Sequence, residues 1–502
     1  MGEIVYLHNK SHVNIMKEKS LKKNAILNSL GTVIGILFPI ITFPYISRIL
    51  LPEGIGQVNF VNSIISYFLL LAGLGISNYG IREAAKVREN INDFSLLVKE
   101  LGIISFVSTF ISYVLFFIVI FFVPKFHSYK NILFICSLNI PLATLGFSWV
   151  YSALENFTFS TINSLVFQSL NVISLFLFVK SKEDILIYVT IPVLCSIGSV
   201  ICSLINLRKY ISLKTTGKLK IRKHLKPIFV LFGMSVVTSI YTLLDTTMLG
   251  FLTNDTQVGY YSAATKINKL VLSVVTSACA VLFPRLSFYA EKADKTEFFN
   301  LLNKSFAITL GVAIPATIGL NLLSEPITLI FSGTEYIPSI PVMKMMNPII
   351  IIISMSGFIG IQCLIPLRKE KITLYSVSIG AIVNFILNLL LMKKYGALGA
   401  AVATLIAECS VTLFQIINAH KYFDKKSLIK NCIQYLLAAS VMGLVVFFIM
   451  NIIKSNVAKI LLSSFIGIIV YFVVLIILKN QFVSEIKKNI ILKTRKKSNE
   501  TI

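Results

Sequence analysis

The sequence has few of the residues from which catalytic or metal sites are built. It holds 22 Asp and Glu and five His among 502 residues. None of them forms a paired-carboxylate, DxD or metal-ligand motif, and a glycine-rich phosphate loop is missing too. The seven Cys contain no CxxC pair and all fall within apolar runs, as small apolar side chains do. The composition therefore predicts neither an enzyme nor a metal or cofactor protein.

The sequence is instead rich in long hydrophobic runs. Hydrophobic residues make up 56% of the chain and charged residues only 14%. Runs of about 20 apolar residues match the hydrocarbon thickness of a bilayer. The segment "FISYVLFFIVIFFV" at 110–123 is apolar all round, whereas strands of a membrane β-barrel alternate. We therefore predict an all-α polytopic membrane protein.

Apolar windows predict fourteen transmembrane helices. They span residues 24–50, 56–80, 98–123, 131–154, 157–179, 185–207, 227–252, 257–284, 303–324, 342–366, 371–392, 397–419, 431–453 and 457–478.

The distribution of Lys and Arg predicts the orientation of these helices. The N-terminal tail, the even-numbered loops and the C-terminal tail together carry 35, whereas the odd-numbered loops carry 10. This asymmetry places both termini in the cytoplasm of a bacterial plasma membrane. The net charge of +25 is then mostly an orientation signal, and no nucleic-acid partner is expected.

The largest basic loop, near the middle of the chain, predicts a division into two six-helix bundles. "ISRILLPEGIGQVNFVNSI" at 46–64 also aligns with "LGFLTNDTQVGYYSAATKI" at 249–267, which favours a repeat. The predicted parts are a cytoplasmic tail 1–23, a bundle 24–210, a linker 211–226, a bundle 227–425, two further helices 426–480 and a basic tail 481–502.

Several motifs resemble one known family. They are "ITFPYISRILLPEGIG" at 41–56, "YFLLLAGLGISNYGIREAAKVREN" at 67–90, "FSWVYSALENF" at 147–157, "FPRLS" at 283–287 and "YGALGAAVATLIAE" at 395–408. These segments resemble the Wzx-type polysaccharide flippases, a branch of the superfamily that also holds MATE exporters and lipid II flippases. The sequence departs from the family at Leu51 and Ile55, where Gly and Tyr are frequent. It also departs at Ser152 and Ala153, although Glu155 is present in the same turn.

The resemblance implies a MATE-like transporter that works by alternating access. Its substrate would be an oligosaccharide repeat unit on undecaprenyl diphosphate, carried for capsule, exopolysaccharide or O-antigen synthesis. Membrane lipids, and the polymerase and glycosyltransferases of the same pathway, would be its partners. H⁺ or Na⁺ would be the coupling ion, with no cofactor.

Two lysines in the eighth predicted helix are the leading candidates for substrate binding. Lys266 and Lys269 lie about 14 to 18 Å below the outer end of that helix, close to the midplane. Each would cost about 2.5 to 3.5 kcal/mol there, and their spacing places them on one face. A diphosphate is the anion that we expect them to meet. The alternative is an internal ion pair between Asp245 and one of them.

Other charged residues are candidates for coupling ions or for guiding the headgroup. Glu408 lies near mid-membrane, about 16 Å from the outer end of its helix, and is either a coupling group, together with Asp245, or a structural acid. Arg48, Arg82 and Arg285 lie near helix ends. They either guide the anionic headgroup or extend to lipid phosphates.

Three other functions compete with the flippase. A MATE-like exporter of cationic drugs would present acidic residues in its cavity, which the two lysines disfavour. A lipid II flippase would also need a basic cavity, and the stretch "GLGISNYGIRE" favours the Wzx branch instead. A polysaccharide polymerase is disfavoured by the short outer loops.

Overall fold

The computed structural model describes residues 21–212, 217–280, 282–292, 294–423 and 425–480. Residues 1–20 and 481–502 of the two predicted tails lie outside the described residues. Regular structure in the described ranges is helical, because a backbone inside a bilayer must satisfy its own hydrogen bonds.

The described ranges hold eighteen α-helices. In chain order they are α1 Leu21–Gly73, α2 Ile76–Val87, α3 Ile91–Phe122, α4 Lys130–Ser137, α5 Asn139–Leu145, α6 Ser148–Ala153, α7 Phe157–Phe178, α8 Ile185–Leu207, α9 Arg222–Leu252, α10 Asp255–Ala280, α11 Phe283–Glu291, α12 Lys295–Leu322, α13 Ser324–Phe331, α14 Ser339–Met346, α15 Ile349–Gly357, α16 Glu370–Ala419, α17 Lys425–Ile452 and α18 Asn456–Ile477. Short 3-10 helices lie at Pro124–Tyr129, Lys182–Asp184, Thr334–Tyr336 and His420–Tyr422, and a π-helix lies at Phe358–Leu364.

Eleven segments of the described chain are long and apolar enough to cross a membrane. Two of them, Phe38–Val87 and Glu370–Ala419, have 50 residues each and contain a break, so the eleven hold thirteen helical spans. The one predicted span not among these thirteen is the eighth, 257–284, which corresponds to α10. It is less apolar because Lys266, Asn268 and Lys269 lie within it. The predicted all-α polytopic fold is confirmed.

The two breaks are single residues with positive φ. Leu51 has φ 59° and ψ 175°, at a position where the resemblance leads one to expect Gly. Such a conformation is strained for a side chain with a β-carbon. Gly396 has φ 54° and ψ −131°, and a β-carbon there would collide with Gln257. The side-chain amide oxygen of Gln257 accepts a hydrogen bond from the Ala397 N–H at 2.8 Å.

The structure divides some spans that the sequence predicts as continuous. The predicted helix 131–154 becomes α4, α5 and α6, with a left-handed residue, Phe147, between the last two. The end of the predicted helix 56–80 belongs to α2, because Leu74 and Gly75 both have positive φ. Averaging hydropathy over a window does not detect such breaks.

The chain consists of two compact units, Met1–Thr247 (unit 1) and Met248–Ile502 (unit 2). The core of unit 1 includes Phe94, Leu101 and Trp149, and that of unit 2 includes Phe306 and Tyr435. The division falls inside α9, whereas the sequence predicts the boundary at 211–226, and that predicted boundary stays a prediction.

Candidate functional site

The two predicted lysines lie on α10, outside the buried face formed by Tyr261, Ala264 and Asn268. Tyr261, Ala264 and Asn268 are buried, and they recur at the spacing of one helix face. Lys266 is half-buried and Lys269 is exposed. At about 100° per residue, both lysines point away from that buried face.

The lysines belong to a longer polar row that the sequence analysis did not recognise. Ser262, Lys266, Lys269, Ser273 and Ser277 follow one another at intervals of three or four residues, and we call this row the lysine stripe. It extends for about 22 Å at 1.5 Å per residue. Ser273 donates to the Leu270 carbonyl (2.7 Å) and Ser277 to the Ser273 carbonyl (2.6 Å). Those serine donors are thus satisfied within the helix, and the ammonium groups are the charged part of the stripe.

A buried hydrogen-bond chain fixes the rotation of α10 about its axis. Asn268 Nδ2 donates to Asn347 Oδ1 at 3.1 Å, and Asn347 Nδ2 donates to Ser324 Oγ at 3.1 Å. Ser324 Oγ in turn donates to the Leu320 carbonyl at 2.7 Å. All three polar residues are at least nine-tenths buried. Asn268 follows Lys266 by two residues and precedes Lys269 by one, so its anchoring places the two lysines about 160° and 100° around the helix from the buried side.

Glu408 lies on a helix that packs directly against α10. Two hydrogen bonds join the helices: Ala397 N donates to Gln257 Oε1 (2.8 Å), and Tyr261 Oη pairs with Thr404 Oγ1 (3.4 Å). Both residue numbers rise from the first bond to the second, so the helices run parallel. The buried Glu408 is one turn beyond Thr404, which is near the level of Lys266 one turn beyond Tyr261.

Asp245 is buried in unit 1, whereas the lysine stripe belongs to unit 2. It interacts electrostatically with Tyr67. The Oγ1 of the neighbouring Thr247 lies within hydrogen-bonding distance of Ser63 Oγ (3.0 Å) and Tyr67 Oη (3.3 Å). Asp245 therefore belongs to a polar cluster between α1 and α9, and its predicted pairing with a lysine stays a prediction.

The three arginines are exposed and lie outside the lysine stripe. Arg48 is three residues before the break at Leu51 and donates to the Pro44 carbonyl. Arg82 lies on α2, with its Nε 3.5 Å from Glu83 Oε1. Arg285 lies on α11 in unit 2. Arg48 precedes and Arg82 follows the second half of α1, residues 52–73, so the structure does not bring them together.

Glu155 forms an ion pair between two turns of unit 1. Its Oε1 is 2.8 Å from Arg88 Nη1, and both side chains are about 40% exposed. Such exposed pairs contribute about 0 to 1 kcal/mol.

A buried network that the sequence does not predict joins α2, α3 and α9. Glu100 accepts hydrogen bonds from His224 Nε2 (2.7 Å) and from the Lys220 N–H, and Lys223 Nζ is 3.2 Å away. His224 Nδ1 is hydrogen-bonded to the Tyr79 hydroxyl at 2.7 Å. Glu100 and His224 are only 1% and 2% exposed. They are 124 residues apart in sequence, and no local motif signals that they meet.

A polar cavity within unit 1 was also missed. It has a volume of about 600 Å³ and is lined by α5, α6, α7, α8 and one residue of α1. Its signal was present in α7, where Ser160, Asn163, Ser164, Gln168 and Asn171 recur at helical spacing.

Comparisons with known proteins agree with this architecture. A family model described as "Polysaccharide biosynthesis protein" matches residues 21–290, more than half of the chain. A Shigella dysenteriae protein named as an O-antigen transporter is 28% identical over 404 residues, which cover 79% of this chain and 99% of that protein.

Two solved structures show the same fold. An inward-closed structure of the lipid II flippase MurJ has a TM-score of 0.69 and 20% identity, over 92% of this chain and 99% of the other. An inward-facing MATE-family multidrug transporter has a TM-score of 0.59 and 12% identity, over 81% and 99%. At these identities the likeness concerns the fold.

The helical spans and the family match agree with each other and with the predicted resemblance. The relatives are membrane transporters and not enzymes, which confirms that prediction too. This chain is thus a multi-pass membrane transporter that belongs to the polysaccharide biosynthesis protein family, the Wzx-type branch of the MATE-like superfamily.

Proposed function

We propose that this protein is a flippase that moves oligosaccharide repeat units on undecaprenyl diphosphate from the cytoplasmic to the outer leaflet by alternating access. Its product would serve the synthesis of capsule, exopolysaccharide or O-antigen. Family membership and the relative named as an O-antigen transporter support a lipid-linked polysaccharide as the cargo. The lysine stripe is the single structural observation that carries the proposal.

The chemistry of the stripe suits a diphosphate. An anion in hydrocarbon loses its hydration, and its transfer is prohibitive unless a cation replaces the water. Lys266 and Lys269 supply two ammonium groups one helical turn apart, spaced to meet adjacent phosphoryl oxygens. Arg48, Arg82 and Arg285 would receive or release the headgroup near the helix ends.

Coupling to an ion gradient would use the buried carboxyl groups. Glu408 is 8% exposed and lies on a helix packed against α10, so its charge state influences the neighbouring lysines. Protonation or Na⁺ binding at Glu408 would change the field at Lys266 and thereby its affinity for the diphosphate. Asp245 would serve the same role in unit 1.

Glu408→Gln is expected to remove the dependence of translocation on a proton or sodium gradient, because an amide neither titrates nor carries charge. Proteoliposomes with and without an imposed gradient give the measurement. Glu335→Gln, which changes an exposed carboxyl of unit 2, is the matched control and should keep the wild-type response. An equal gradient response in wild type and Glu408→Gln would contradict the coupling role.

Reconstitution tests the function directly. Purified protein in proteoliposomes should move a fluorescent undecaprenyl-diphosphate oligosaccharide between leaflets at least tenfold faster than protein-free vesicles. Lipid II and a cationic dye, the substrates of the competing functions, are assayed in parallel. If lipid II or the dye moved faster than the undecaprenyl-diphosphate oligosaccharide, the proposed substrate would be wrong. The protein would then be a lipid II flippase or a multidrug exporter.

The pathway partners remain part of the proposal. Glycosyltransferases would act before translocation and a polymerase after it. The protein would lie in the plasma membrane with both termini cytoplasmic. The excess of Lys and Arg in the tails and even-numbered loops supports that orientation.

A further inference from the structure

The polar cavity in unit 1 is a feature that the lysine stripe does not explain. All of its lining residues belong to unit 1. Its volume of about 600 Å³ falls within the range of about 300 to 1,000 Å³ that is typical of small-molecule sites. Asn163 and Asn171 lie about 9 and 21 Å from the start of α7, so the cavity extends into the depth of the membrane-spanning helices.

The lining is polar but uncharged. Four amide side chains contribute to it, Asn139, Asn163, Gln168 and Asn171, together with several serine hydroxyls. The described residues around this cavity include no Asp, Glu, Lys, Arg or His. Without positive charge it is unsuited to a diphosphate, and without a carboxylate it lacks the strongest ligand for a metal cation.

Two amide oxygens of the cavity are available as hydrogen-bond acceptors. Asn163 Nδ2 lies within hydrogen-bonding distance of three oxygens of α8, the Ser199 carbonyl (3.1 Å), Ser199 Oγ (2.9 Å) and Ser203 Oγ (3.3 Å). This arrangement turns its Oδ1 away from α8. Asn171 Oδ1 has no hydrogen-bond partner in the described structure and is covered by its neighbours, so its side chain must rotate to present the oxygen to the cavity. An unsatisfied buried acceptor costs about 1 to 3 kcal/mol, so a donor from a ligand would be strongly favoured.

Aromatic side chains complete the wall. Tyr151 and Phe167 both line the cavity, and Tyr151 is held by donating to the Ser203 carbonyl. Phe167 packs against Gly198, where a β-carbon would collide with the ring. An aromatic wall beside amide acceptors and hydroxyls suits a ring that has apolar faces and hydroxyl donors at its edge.

We propose that this cavity is a binding site for neutral sugar residues, with the oxygens of Asn163 and Asn171 accepting hydrogen bonds from sugar hydroxyls. The inference rests on the proposed function, since a lipid-linked oligosaccharide supplies such residues. It assigns the glycan its own site in unit 1, separate in chemistry from the cationic lysine stripe.

The chain contains a built-in reporter for the test. Its single Trp, Trp149, lies on α6 between Ser148 and Tyr151, which both line the cavity. The full-length protein in phospholipid nanodiscs is titrated with glucose, N-acetylglucosamine and maltose while tryptophan emission is recorded. We expect a saturable change with at least one of these sugars at millimolar concentration, and none with inorganic pyrophosphate or Na⁺.

Variants locate the response. Asn163→Leu and Asn171→Leu keep the side-chain size but remove the acceptors, so the apparent Kd should weaken at least tenfold. Asn59→Leu, at an asparagine that donates within its own helix and lies outside the cavity, should match wild type. Gly198→Ala, which displaces Phe167 and keeps every polar group, gives a second route should the leucine variants fail to fold.

The outcomes separate the two proposals. A sugar response without any translocation by wild type would contradict the proposed function and keep the sugar site. The sugar site would be overturned if wild type translocates but shows no saturable sugar response. It would also be overturned by an unchanged Kd in Asn171→Leu and Gly198→Ala, or by the same change of emission with Na⁺ alone.

Discussion

Replacing Lys266 and Lys269 together by glutamine is expected to abolish translocation of an undecaprenyl-diphosphate oligosaccharide. Each charge-assisted hydrogen bond to a phosphate contributes about 1.5 to 3 kcal/mol, so losing two of them costs about 3 to 6 kcal/mol. At about 1.4 kcal/mol per tenfold, the rate should fall by a factor of about 100 or more. Glutamine is neutral and one bond shorter than lysine, so it removes both ammonium–phosphate contacts while keeping a polar side chain at each position. The rate of leaflet exchange in proteoliposomes is the measurement.

A matched control accompanies this variant. Lys393→Gln with Lys394→Gln removes the same two charges from exposed positions beside the break at Gly396, outside the lysine stripe. That control should translocate within twofold of wild type. Equal rates for the two double variants and wild type would show that the stripe does not bind the diphosphate.

Replacing Glu100 by leucine is expected to destabilise the protein by about 3 to 5 kcal/mol, because it removes a buried hydrogen bond to a charged group and leaves the donor unsatisfied. Leucine deprives His224 Nε2 of its acceptor in the interior, and the Lys220 N–H loses its partner too. Lys223 is half exposed and can turn to water instead. Thermal unfolding in detergent, followed by Trp149 emission, gives the measurement.

The surface pair on α2 provides the comparison. Glu83→Leu removes an ion pair with Lys86 at 2.8 Å, in which the lysine is 61% exposed. Water replaces such a partner, so the loss should stay below about 1 kcal/mol. Equal losses in Glu100→Leu and Glu83→Leu would mean that burial of the network contributes nothing.

Much of the fold is predictable because apolar length translates directly into helices. The predicted span 157–179 is Phe157–Phe178 in the structure, and 457–478 is Asn456–Ile477. Where the backbone breaks inside an apolar run, at Phe147 or Gly396, the composition changes too little to reveal it. The breaks depend on φ and ψ at single residues, which a hydropathy window averages away.

The site is predictable only where charge makes it conspicuous. Lys266 and Lys269 stand out because ammonium groups are rare in apolar segments. Asn163 and Asn171 are neutral, and their cavity exists only because α5 to α8 come together around it. Glu100 resembles an ordinary surface acid until His224 reaches it from another helix.

The breaks at Leu51 and Gly396 have a mechanical consequence. Each joins two long helical halves through one residue, whereas α7 and α8 are joined by the six residues 179–184. A one-residue connection allows little independent movement, so a helix that tilts also changes the position of its neighbour. The two helices of each pair are therefore expected to tilt together rather than independently.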